Sequence, residues 1–438
     1  MESKPKLVPR EVLIPFILVT TLFFAWGFAN DITNPMVKAF SKIFRMSVTD
    51  GALVQLAFYG GYFAMAFPAA LFIRRFTYKA GILVGLGLYA FGALLFIPCA
   101  INGTYYPFLL AYFILTCGLS FLETSANPYI LSMGDPRTAT RRLNFAQSFN
   151  PMGSLLGMFC AMKFIQAKLN PLDTAQRAEL SPDAFEAVKQ ADLEVLIAPY
   201  VGVGIFVLLL FLIIRFAKMP RNADTDHSMN LGTVLKRIIK MPHYREGVIA
   251  QFFYVGAQIM CWTFIIQYGT RIFVNQGMDE KAAEVLSQQY NIVAMALHCV
   301  SRFICTYLLK YFSPGKMLTT LAIGGAIMVA GVIGLQDIKG LYCLVAVSVC
   351  MCGMFSTIYG IALNGLGDDA KFGSAGLIMA ILGGSILPPL QARIIDMGTV
   401  WGMPAVNASF ILPFICFLVI MTYGVRTFKI HEKKFIYR

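Results

Sequence analysis

Charged side chains are scarce in this chain: only 13% of its 438 residues are Asp, Glu, Lys or Arg, whereas soluble domains have about 25%. Hydrophobic residues make up 58% of the chain, and its mean hydropathy is +0.67. A chain with so few charges cannot cover a globular surface with solvated groups, which excludes an ordinary soluble protein. The composition therefore indicates a protein that is surrounded mostly by lipid.

Signatures of several enzyme and metal-binding classes are also missing. The sequence has no GxxxxGK[ST] phosphate loop, no HExxH zinc motif and no GxSxG serine motif, which argues against an ATPase, a metalloprotease and an esterase. None of the ten cysteines belongs to a CxxC pair, so we expect neither a metal site nor a disulfide framework. We predict a protein that is not an enzyme and that needs no cofactor or metal.

Long apolar runs predict how the chain crosses the membrane. Lipid satisfies no backbone hydrogen bond, so each crossing segment must be a helix or part of a closed barrel. Barrel strands alternate apolar and polar residues over about ten positions, whereas these runs stay apolar for about 20 residues. We therefore predict an all-α membrane protein with twelve transmembrane helices, numbered as spans 1 to 12, at residues 13–36, 50–73, 80–100, 106–133, 143–166, 195–217, 247–272, 285–310, 317–335, 341–366, 373–395 and 406–426.

Basic residues predict the orientation of these spans. Most of the 36 Lys and Arg residues fall in the N-terminal segment, in alternate loops, in the central segment 218–246 and in the tail. By the positive-inside rule, both termini lie in the cytoplasm of a multi-pass protein of the cell (inner) membrane. The net charge of +13 then faces anionic lipid of the bilayer, and it requires no nucleic acid partner.

The polar and basic segment 218–246 divides the spans six and six. We predict an N-terminal six-helix bundle at 1–217, a cytoplasmic linker at 218–246, and a C-terminal six-helix bundle with a short cytoplasmic tail at 247–438. The two halves are weakly similar in sequence; for example, Phe23–Gly27 resembles Phe252–Gly256. Two pseudo-symmetric six-helix bundles resemble the architecture of the major facilitator transporters, which bind substrate near the midplane between the halves. We expect a monomer.

Two short surface helices are predicted between the spans. The outside segment 167–194 carries a capped helix start at Ser181, and the cytoplasmic linker carries an amphipathic stretch at Leu231–Lys240. We interpret both as surface elements and not as binding sites.

Ionisable side chains are rare within the spans, and four of them stand out: Asp31, Glu123, His298 and Arg302. An unpaired charge at the bilayer centre costs at least about 2.5–3.5 kcal/mol, so such residues usually face a bundle interior or a water-filled cavity. Glu123 and Asn127, four residues apart in span 4, share a helix face. Because desolvation favours a protonated carboxyl group, Glu123 could exchange a proton near neutral pH, which favours a proton-coupling role. The alternative is a carboxyl group that is permanently hydrogen-bonded to a neighbouring helix.

Span 1 combines aromatic, amide and acidic residues before a helix-breaking proline. Trp26 and Asn30 are one turn apart, as are Asp31 and Asn34, and Pro35 follows at once. A broken helix with free backbone groups beside an acid suits the binding of a sugar or a cation. We predict that these residues take part in coupling and substrate binding; the alternative is that Asp31 lies near the outer interface and has a structural role.

Amide side chains form polar stripes on two further spans. Span 5 has Asn144, Gln147 and Asn150 on one face, and span 7 has Gln251, Gln258 and Trp262 on one face. Amides donate and accept hydrogen bonds, which suits vicinal hydroxyl groups, and an indole offers a flat apolar surface to the C–H side of a sugar ring. This pattern favours a sugar site; the alternative is hydrogen bonding between helices, worth about 0.6–2 kcal/mol for each bond.

His298 and Arg302 are four residues apart on one face of span 8. A buried arginine more often fixes helix packing or pairs with a carboxylate or a carbonyl group than it binds a substrate. We predict a gating or structural role for both residues.

Specific stretches of the chain are LFFAWGFAN at 22–30, CGLSFLETSANP at 117–128, RLNFAQSFN at 142–150 and AQFFYVGAQ at 250–258, with CW at 261–262. These stretches resemble the fucose–proton symporters, in the fucose–galactose–glucose branch of the major facilitator superfamily. The resemblance covers residues 12–427. It implies a carrier that imports L-fucose by alternating access and is driven by protons, without a resident cofactor.

The resemblance also implies roles for single residues. Glu123 matches the family's span 4 glutamate, which takes part in proton and sugar handling. At the place of the family's span 1 aspartate this chain has Asn34, and its acid is Asp31, about one turn earlier. The same branch leaves two alternatives open: a glucose/galactose or other hexose symporter, which could be coupled to Na⁺, and a sugar sensor that transports nothing. The short tail after span 12 argues against the sensor.

Overall fold

The computed structural model describes residues 6–33, 43–44, 48–160, 164, 168–172, 176–177, 179–220, 231–400 and 402–431, without the side chains of residues 29–33, 48–56, 231 and 281. Helices make up nearly all of this part of the chain. Their bounds, in chain order, are α1 Leu13–Thr33, α2 Val48–Arg75, α3 Tyr78–Leu94, α4 Phe96–Asn102, α5 Tyr105–Ser132, α6 Ala139–Gln147, α7 Phe149–Cys160, α8 Pro182–Phe216, α9 Leu231–Lys240, α10 Pro242–Asn275, α11 Glu280–Leu308, α12 Pro314–Gly334, α13 Ile338–Cys350, α14 Met354–Leu363, α15 Ala370–Met379, α16 Gly383–Ile395, α17 Ala405–Ser409 and α18 Ile411–Arg426.

Local sequence signals set several helix starts. The side-chain oxygens of Thr77, Ser181 and Ser313 each accept a hydrogen bond from a backbone N–H of the first turn, at 3.0, 3.4 and 3.4 Å. Proline occupies the first helical position after Ser181 and Ser313, where its missing N–H leaves no hydrogen bond unmade. The helix starts predicted at Ser181 and at Leu231 are therefore confirmed.

The predicted spans correspond to long apolar helices. Within the described residues, ten helical stretches are long and apolar enough to cross a membrane. The other two predicted spans are 50–73, which coincides with α2, and 143–166, which coincides with α6 followed by α7. The side chains at the start of α2 and the residues just after α7 lie outside the described part. The only strands in the described residues, Thr399–Val400 and Met403–Pro404, form a two-residue antiparallel pair before α17.

Several predicted spans are not single unbroken helices. Spans 3, 5, 10, 11 and 12 are each interrupted: α3 and α4 meet at Leu95, α6 and α7 at Ser148, and α17 and α18 at Phe410, whereas Met351–Gly353 separates α13 from α14 and a 3-10 turn precedes α16. Span 6 and the predicted surface helix before it are one continuous helix, α8, of 35 residues. The apolar pattern runs on through these breaks, so hydropathy alone does not reveal them.

Contacts between residues group the chain into two compact units. The first unit contains residues 10–129 and 152–225; the second contains residues 1–9, 130–151 and 226–438. Both α6 and the second half of the chain thus belong to the second unit. The predicted division of the chain is a different one, with bundles at 1–217 and 247–438 and a linker at 218–246. It stays a prediction.

In the first unit, the backbones of α3 and α5 pack closely against each other. A Cβ atom added to Gly118 of α5 would lie 2.6 Å from the backbone oxygen of Gly85 in α3. Only a residue without a side chain allows two helix backbones to approach this closely, which is the usual role of small residues between membrane helices. The approach fixes α5, the helix that carries Glu123, against its neighbour.

Candidate functional site

In the first unit, Glu123 forms a small polar group with a neighbouring helix. Its half-buried carboxylate accepts a hydrogen bond from the hydroxyl of Tyr62 in α2, with 3.3 Å between the oxygens. The hydroxyl of Ser120, one turn before Glu123, donates to the backbone oxygen of Tyr62 at 3.0 Å. Within the described residues, no Lys, Arg or His lies within ion-pair distance of Glu123. The partner of this carboxyl group is therefore a neutral hydroxyl, which sequence reasoning missed.

Asn127 lies on the same face of α5 as Glu123, as predicted. Its side chain is fully buried, and the amide nitrogen donates to the backbone oxygen of Glu123 at 3.1 Å. This bond ties the amide to the helix turn that presents the carboxyl group. Asn127 therefore supports the conformation of the turn around Glu123, and its predicted contact with substrate stays a prediction.

Of the candidate site residues in span 1, only Trp26 has a side chain that the structure describes. It is 4% exposed, its ring lies 4.9 Å from that of Phe23, and it lines a small cavity with Leu86, Leu119 and Leu122. Its indole N–H has no hydrogen-bond partner in the described part of the chain. Asn30 and Asp31 belong to α1, but their side chains, like the whole of Asn34, lie outside the described residues.

In the second unit, the predicted amide of span 5 meets the predicted arginine of span 8. The Nη2 atom of Arg302 donates to the side-chain oxygen of Gln147 at 3.0 Å and to the hydroxyl of Ser356 at 3.4 Å. All three residues are buried, and Arg302 has no carboxylate within ion-pair distance among the described residues. Neutral oxygens therefore stabilise this buried cation.

Asn144 extends this group of hydrogen bonds by one helix turn. Its amide oxygen accepts from the Ser356 hydroxyl at 2.8 Å, and its amide nitrogen donates to the Thr357 hydroxyl at 3.1 Å. One turn further on, the hydroxyls of Ser148 and Thr306 lie 3.4 Å apart. Side chains of α6 are thus joined to both α11 and α14. We call Asn144, Gln147, Arg302, Ser356 and Thr357 the amide–arginine network.

The break before α14 lies against this network. Gly353 has φ of +68°, a left-handed conformation that suits glycine, and a Cβ atom there would lie 2.7 Å from the side-chain oxygen of Asn144. The break lets α14 begin at Met354, and the hydroxyl groups of Ser356 and Thr357 in its first turn then face α6. Sequence reasoning missed both hydroxyl residues; the available signal was the Gly353 and Ser-Thr pair inside an otherwise apolar run.

The span 7 residues form a second polar group in this unit. The indole N–H of Trp262 donates to the Ser348 hydroxyl at 3.1 Å, and a ring nitrogen of His298 lies 2.9 Å from the backbone oxygen of Ser348. The rings of Trp262 and His298 meet edge to face, with centroids 5.1 Å apart. His298 is buried, whereas Trp262 is partly exposed. The hydrogen bond and the perpendicular ring contact hold the indole in place, and part of the ring stays accessible.

The remaining predicted amides differ in their surroundings. Gln251 is fully buried, and neither atom of its amide has a partner among the described residues. Gln258, two turns later on α10, is half-buried, as is Asn150 near the start of α7. The structure thus brings Gln147 together with Arg302, and Trp262 with His298. No contact in the described part of the chain joins Gln251 or Gln258 to these groups, and no cluster of metal-ligating residues occurs there.

Comparison with known proteins shows which family this chain belongs to. The sequence pattern of the Major Facilitator Superfamily matches residues 17–386. The chain is 51% identical to the L-fucose-proton symporter of Haemophilus influenzae over 97% of this chain and 99% of the relative. It is 32% identical to the L-fucose-proton symporter of Escherichia coli, over 95% and 93% of the two chains. A glucose/galactose transporter of Brucella abortus is 29% identical, over 93% and 92%.

Solved structures show the same relationship. The crystal structure of a major facilitator transporter, FucP, in the outward conformation is 32% identical and has a TM-score of 0.86, covering 95% of this chain and 99% of that one. A variant of the E. coli fucose:proton symporter gives the same TM-score at 31% identity. Likeness of this extent shows the all-α, twelve-span major facilitator fold that the sequence predicted. The chain belongs to the major facilitator superfamily and, within it, to the fucose–proton symporter family.

Proposed function

We propose that this protein is a symporter that imports L-fucose together with protons by alternating access. Two relatives named L-fucose-proton symporter, at 51% and 32% identity along almost the whole chain, support the substrate and the coupling ion. The observation in the structure that carries the proposal is Glu123, a carboxyl group on a membrane helix whose partner is the neutral hydroxyl of Tyr62.

Glu123 is the group that we assign to the coupled proton, with Asp31 as its proposed companion in span 1. No ion pair in the described residues offsets the desolvation of an ionised Glu123, so its charge state changes the free energy of the surrounding helices. Loading and release of a proton would alter the hydrogen bond from Tyr62 and hence the packing of α2 against α5. Such a change is what couples a proton to a conformational step.

The sugar site that we propose uses the amides of Gln147, Asn150 and Gln258 and the face of Trp262. The Gln147 oxygen already accepts from Arg302, so a sugar hydroxyl that binds this amide must share or replace that bond. Trp262 is held at its N–H by Ser348 and packs perpendicular to the His298 ring, and the partly exposed indole is the surface that we propose for the apolar side of the sugar ring. Trp26, Asn30, Asn34, Asn127 and Gln251 complete the proposed set.

The amide–arginine network is the proposed gate. It links α6, which carries the basic residues Arg141 and Arg142 near its start, to α11 and α14 from the second half of the chain. By the positive-inside rule these basic residues lie on the cytoplasmic side. Closing and opening of the cytoplasmic end would then require these hydrogen bonds to form and break in each cycle.

The remaining parts of the proposal concern partners and location. We propose a monomer in the cell (inner) membrane with both termini in the cytoplasm, without a cofactor, a resident metal or enzymatic activity. The coupling ion is H⁺ in this proposal, and Na⁺ is the alternative.

Counterflow of labelled sugars in proteoliposomes tests the substrate without requiring ion coupling. Vesicles preloaded with L-fucose should take up labelled L-fucose and should discriminate against labelled D-glucose and D-galactose. Relatives of this chain that are named glucose/galactose transporters make these two sugars the relevant competitors. Preferential exchange of either hexose over L-fucose would contradict the proposed substrate, and accumulation driven by a Na⁺ gradient alone would contradict the proposed ion.

A further inference from the structure

A deep apolar groove lies within the first unit, among α1, α7 and α8. Its volume is about 770 Å³, within the range of about 300–1,000 Å³ that is usual for small-molecule sites. The walls are mostly aromatic and aliphatic, and include Phe24, Phe28, Leu156, Phe164, Pro199 and Phe206. Phe164 and Phe206 are 54% and 41% exposed, as expected for side chains that face lipid. Walls of this kind suit a hydrocarbon chain and offer few partners to a sugar.

Two opposite charges also line the groove: Lys168 and Glu194. Both side chains are exposed, and neither has an ion-pair partner within the described part of the chain. The Lys168 ammonium group lies 5.8 Å from the ring centre of Phe164, another residue of the wall. The groove therefore presents one cation and one anion, each able to bind a ligand of opposite charge.

The spacing of residues along α8 places Glu194 at the level of lipid headgroups, and Lys168 lines the same groove. Glu194 and Arg215 are 21 residues apart on this helix, which is about 31 Å at 1.5 Å per residue and matches a hydrocarbon core of about 30 Å. Glu194, Ala198, Gly202 and Phe206 line the groove at intervals of four residues, so they share one helix face. From Glu194 to Phe206 this face extends about 18 Å, close to the depth of one leaflet.

We propose that the groove binds a glycerophospholipid whose headgroup carries both a phosphate and a primary ammonium group. An acyl chain fills the apolar part, Lys168 binds the phosphate, and Glu194 binds the ammonium group. A headgroup with these two charges complements the pair of unpaired side chains. A purely anionic headgroup would meet the Glu194 carboxylate without an ammonium group to neutralise it, and a choline headgroup has no N–H to donate to Glu194.

Native mass spectrometry of the purified protein in detergent tests the proposal, with phosphatidylethanolamine, phosphatidylglycerol and phosphatidylcholine of the same acyl chains as probes. The wild-type protein should bind phosphatidylethanolamine about tenfold more tightly than the other two, since one charge-assisted hydrogen bond is worth about a factor of ten. Glu194→Gln should abolish this preference among the three lipids. Lys168→Gln should weaken the binding of all three, because each has a phosphate.

The apolar part of the groove is tested separately at Gly202. A Cβ atom at this position meets nothing within 4 Å, so a larger side chain enters the groove without a clash. Gly202→Trp should prevent lipid binding, whereas Gly202→Ala should bind lipid as the wild type does. Asp183→Asn and Lys236→Gln neutralise exposed charges away from the groove and should change nothing. Gel filtration and the melting temperature of each variant report whether it is folded.

Three results would overturn the proposal. One is a phosphatidylethanolamine preference that Glu194→Gln leaves intact. Another is lipid binding that Gly202→Trp does not reduce. The third is tighter binding of phosphatidylglycerol than of phosphatidylethanolamine by the wild type, which would indicate an anionic lipid as the occupant. A failure of the proposed sugar transport would leave each of these measurements unaffected.

Discussion

The guanidinium group of Arg302 donates a hydrogen bond to the side-chain oxygen of Gln147, 3.0 Å away and 155 residues earlier in the chain. A buried cation is thus held by an amide that the sequence marks as a candidate sugar ligand. Because a sugar hydroxyl that binds this oxygen must share it with Arg302 or replace the existing bond, sugar binding and the release of Arg302 are expected to be linked. This relationship connects the proposed sugar site to the proposed gate.

Loss of single amides should weaken sugar binding. Gln147→Ala, Asn150→Ala and Gln258→Ala each remove a proposed hydrogen bond to L-fucose, worth about 1–3 kcal/mol, so affinity should fall about tenfold to a hundredfold. Isothermal titration of the detergent-purified variants measures this. Gln267→Ala removes an exposed amide from the same helix as Gln258 and serves as the control. Unchanged affinity in all three variants would leave these amides with a structural role only.

Removal of the Ser356 hydroxyl should slow transport more than it weakens binding. Ser356→Ala loses the hydrogen bonds to Asn144 and Arg302, which join α14 to α6 and α11. If these bonds form and break in each cycle, the maximal rate of L-fucose exchange should fall, while the dissociation constant for L-fucose stays close to that of the wild type. Ser385→Ala is the matched control, because within the described residues its hydroxyl is bonded only to the backbone oxygen of Leu382, three residues earlier. Identical kinetics for both variants would argue against a gate at Ser356.

A side chain at Gly353 should destabilise the protein and disturb the network. Gly353→Ala places a Cβ atom 2.7 Å from Asn144 in a left-handed backbone conformation, at a cost of about 1–3 kcal/mol. Gly398→Ala introduces the same backbone strain at φ of +74° but meets no atom within 4 Å, so the pair separates strain from contact. The melting temperature and the exchange rate should both fall further for Gly353→Ala. Equal losses in the two variants would show that the contact with Asn144 is unimportant.

Exchange of the acid within span 1 tests the predicted role of Asp31. Asp31→Asn should cripple uptake, and Asp31→Asn combined with Asn34→Asp should restore part of it, because a helix places both positions on neighbouring parts of one face, about 4.5 Å apart along the axis. Uptake by cells that express each variant, corrected for the amount of protein in the membrane, measures this. Near-normal uptake by Asp31→Asn would assign coupling to Glu123 alone.

The sequence was sufficient for the fold and for the helix faces on which several candidate residues lie. The number of spans followed from apolar runs of about 20 residues, because lipid satisfies no backbone hydrogen bond and barrel strands would alternate apolar and polar residues. The shared faces of Glu123 with Asn127, and of His298 with Arg302, followed from helical periodicity. Periodicity gives the face of a residue but not the neighbouring helix, so neither Tyr62 opposite Glu123 nor Ser348 beside Trp262 could be predicted.

Breaks within helices were the other feature that hydropathy could not reveal. Gly353 interrupts span 10 where the apolar run continues on both sides, and this break directs Ser356 and Thr357 towards Asn144. In the same way, the sequence placed Gln147 and Arg302 on polar faces of two different spans, without a sign that these faces meet. Their contact depends on the packing of α6 against α11, which is a property of the folded chain.

Proton movement driven by sugar tests the proposed function most directly. When L-fucose is added to energy-depleted cells or to proteoliposomes that contain the wild-type protein, the outer medium should become alkaline as protons enter with the sugar. Glu123→Gln should exchange labelled L-fucose across the membrane, because the amide mimics the protonated acid, yet it should neither alkalinise the medium nor accumulate sugar uphill. Glu179→Gln, at an exposed loop residue, should behave as the wild type. Sugar-driven alkalinisation that persists in Glu123→Gln would contradict the assignment of the coupled proton to Glu123, and its absence in the wild type would contradict proton symport.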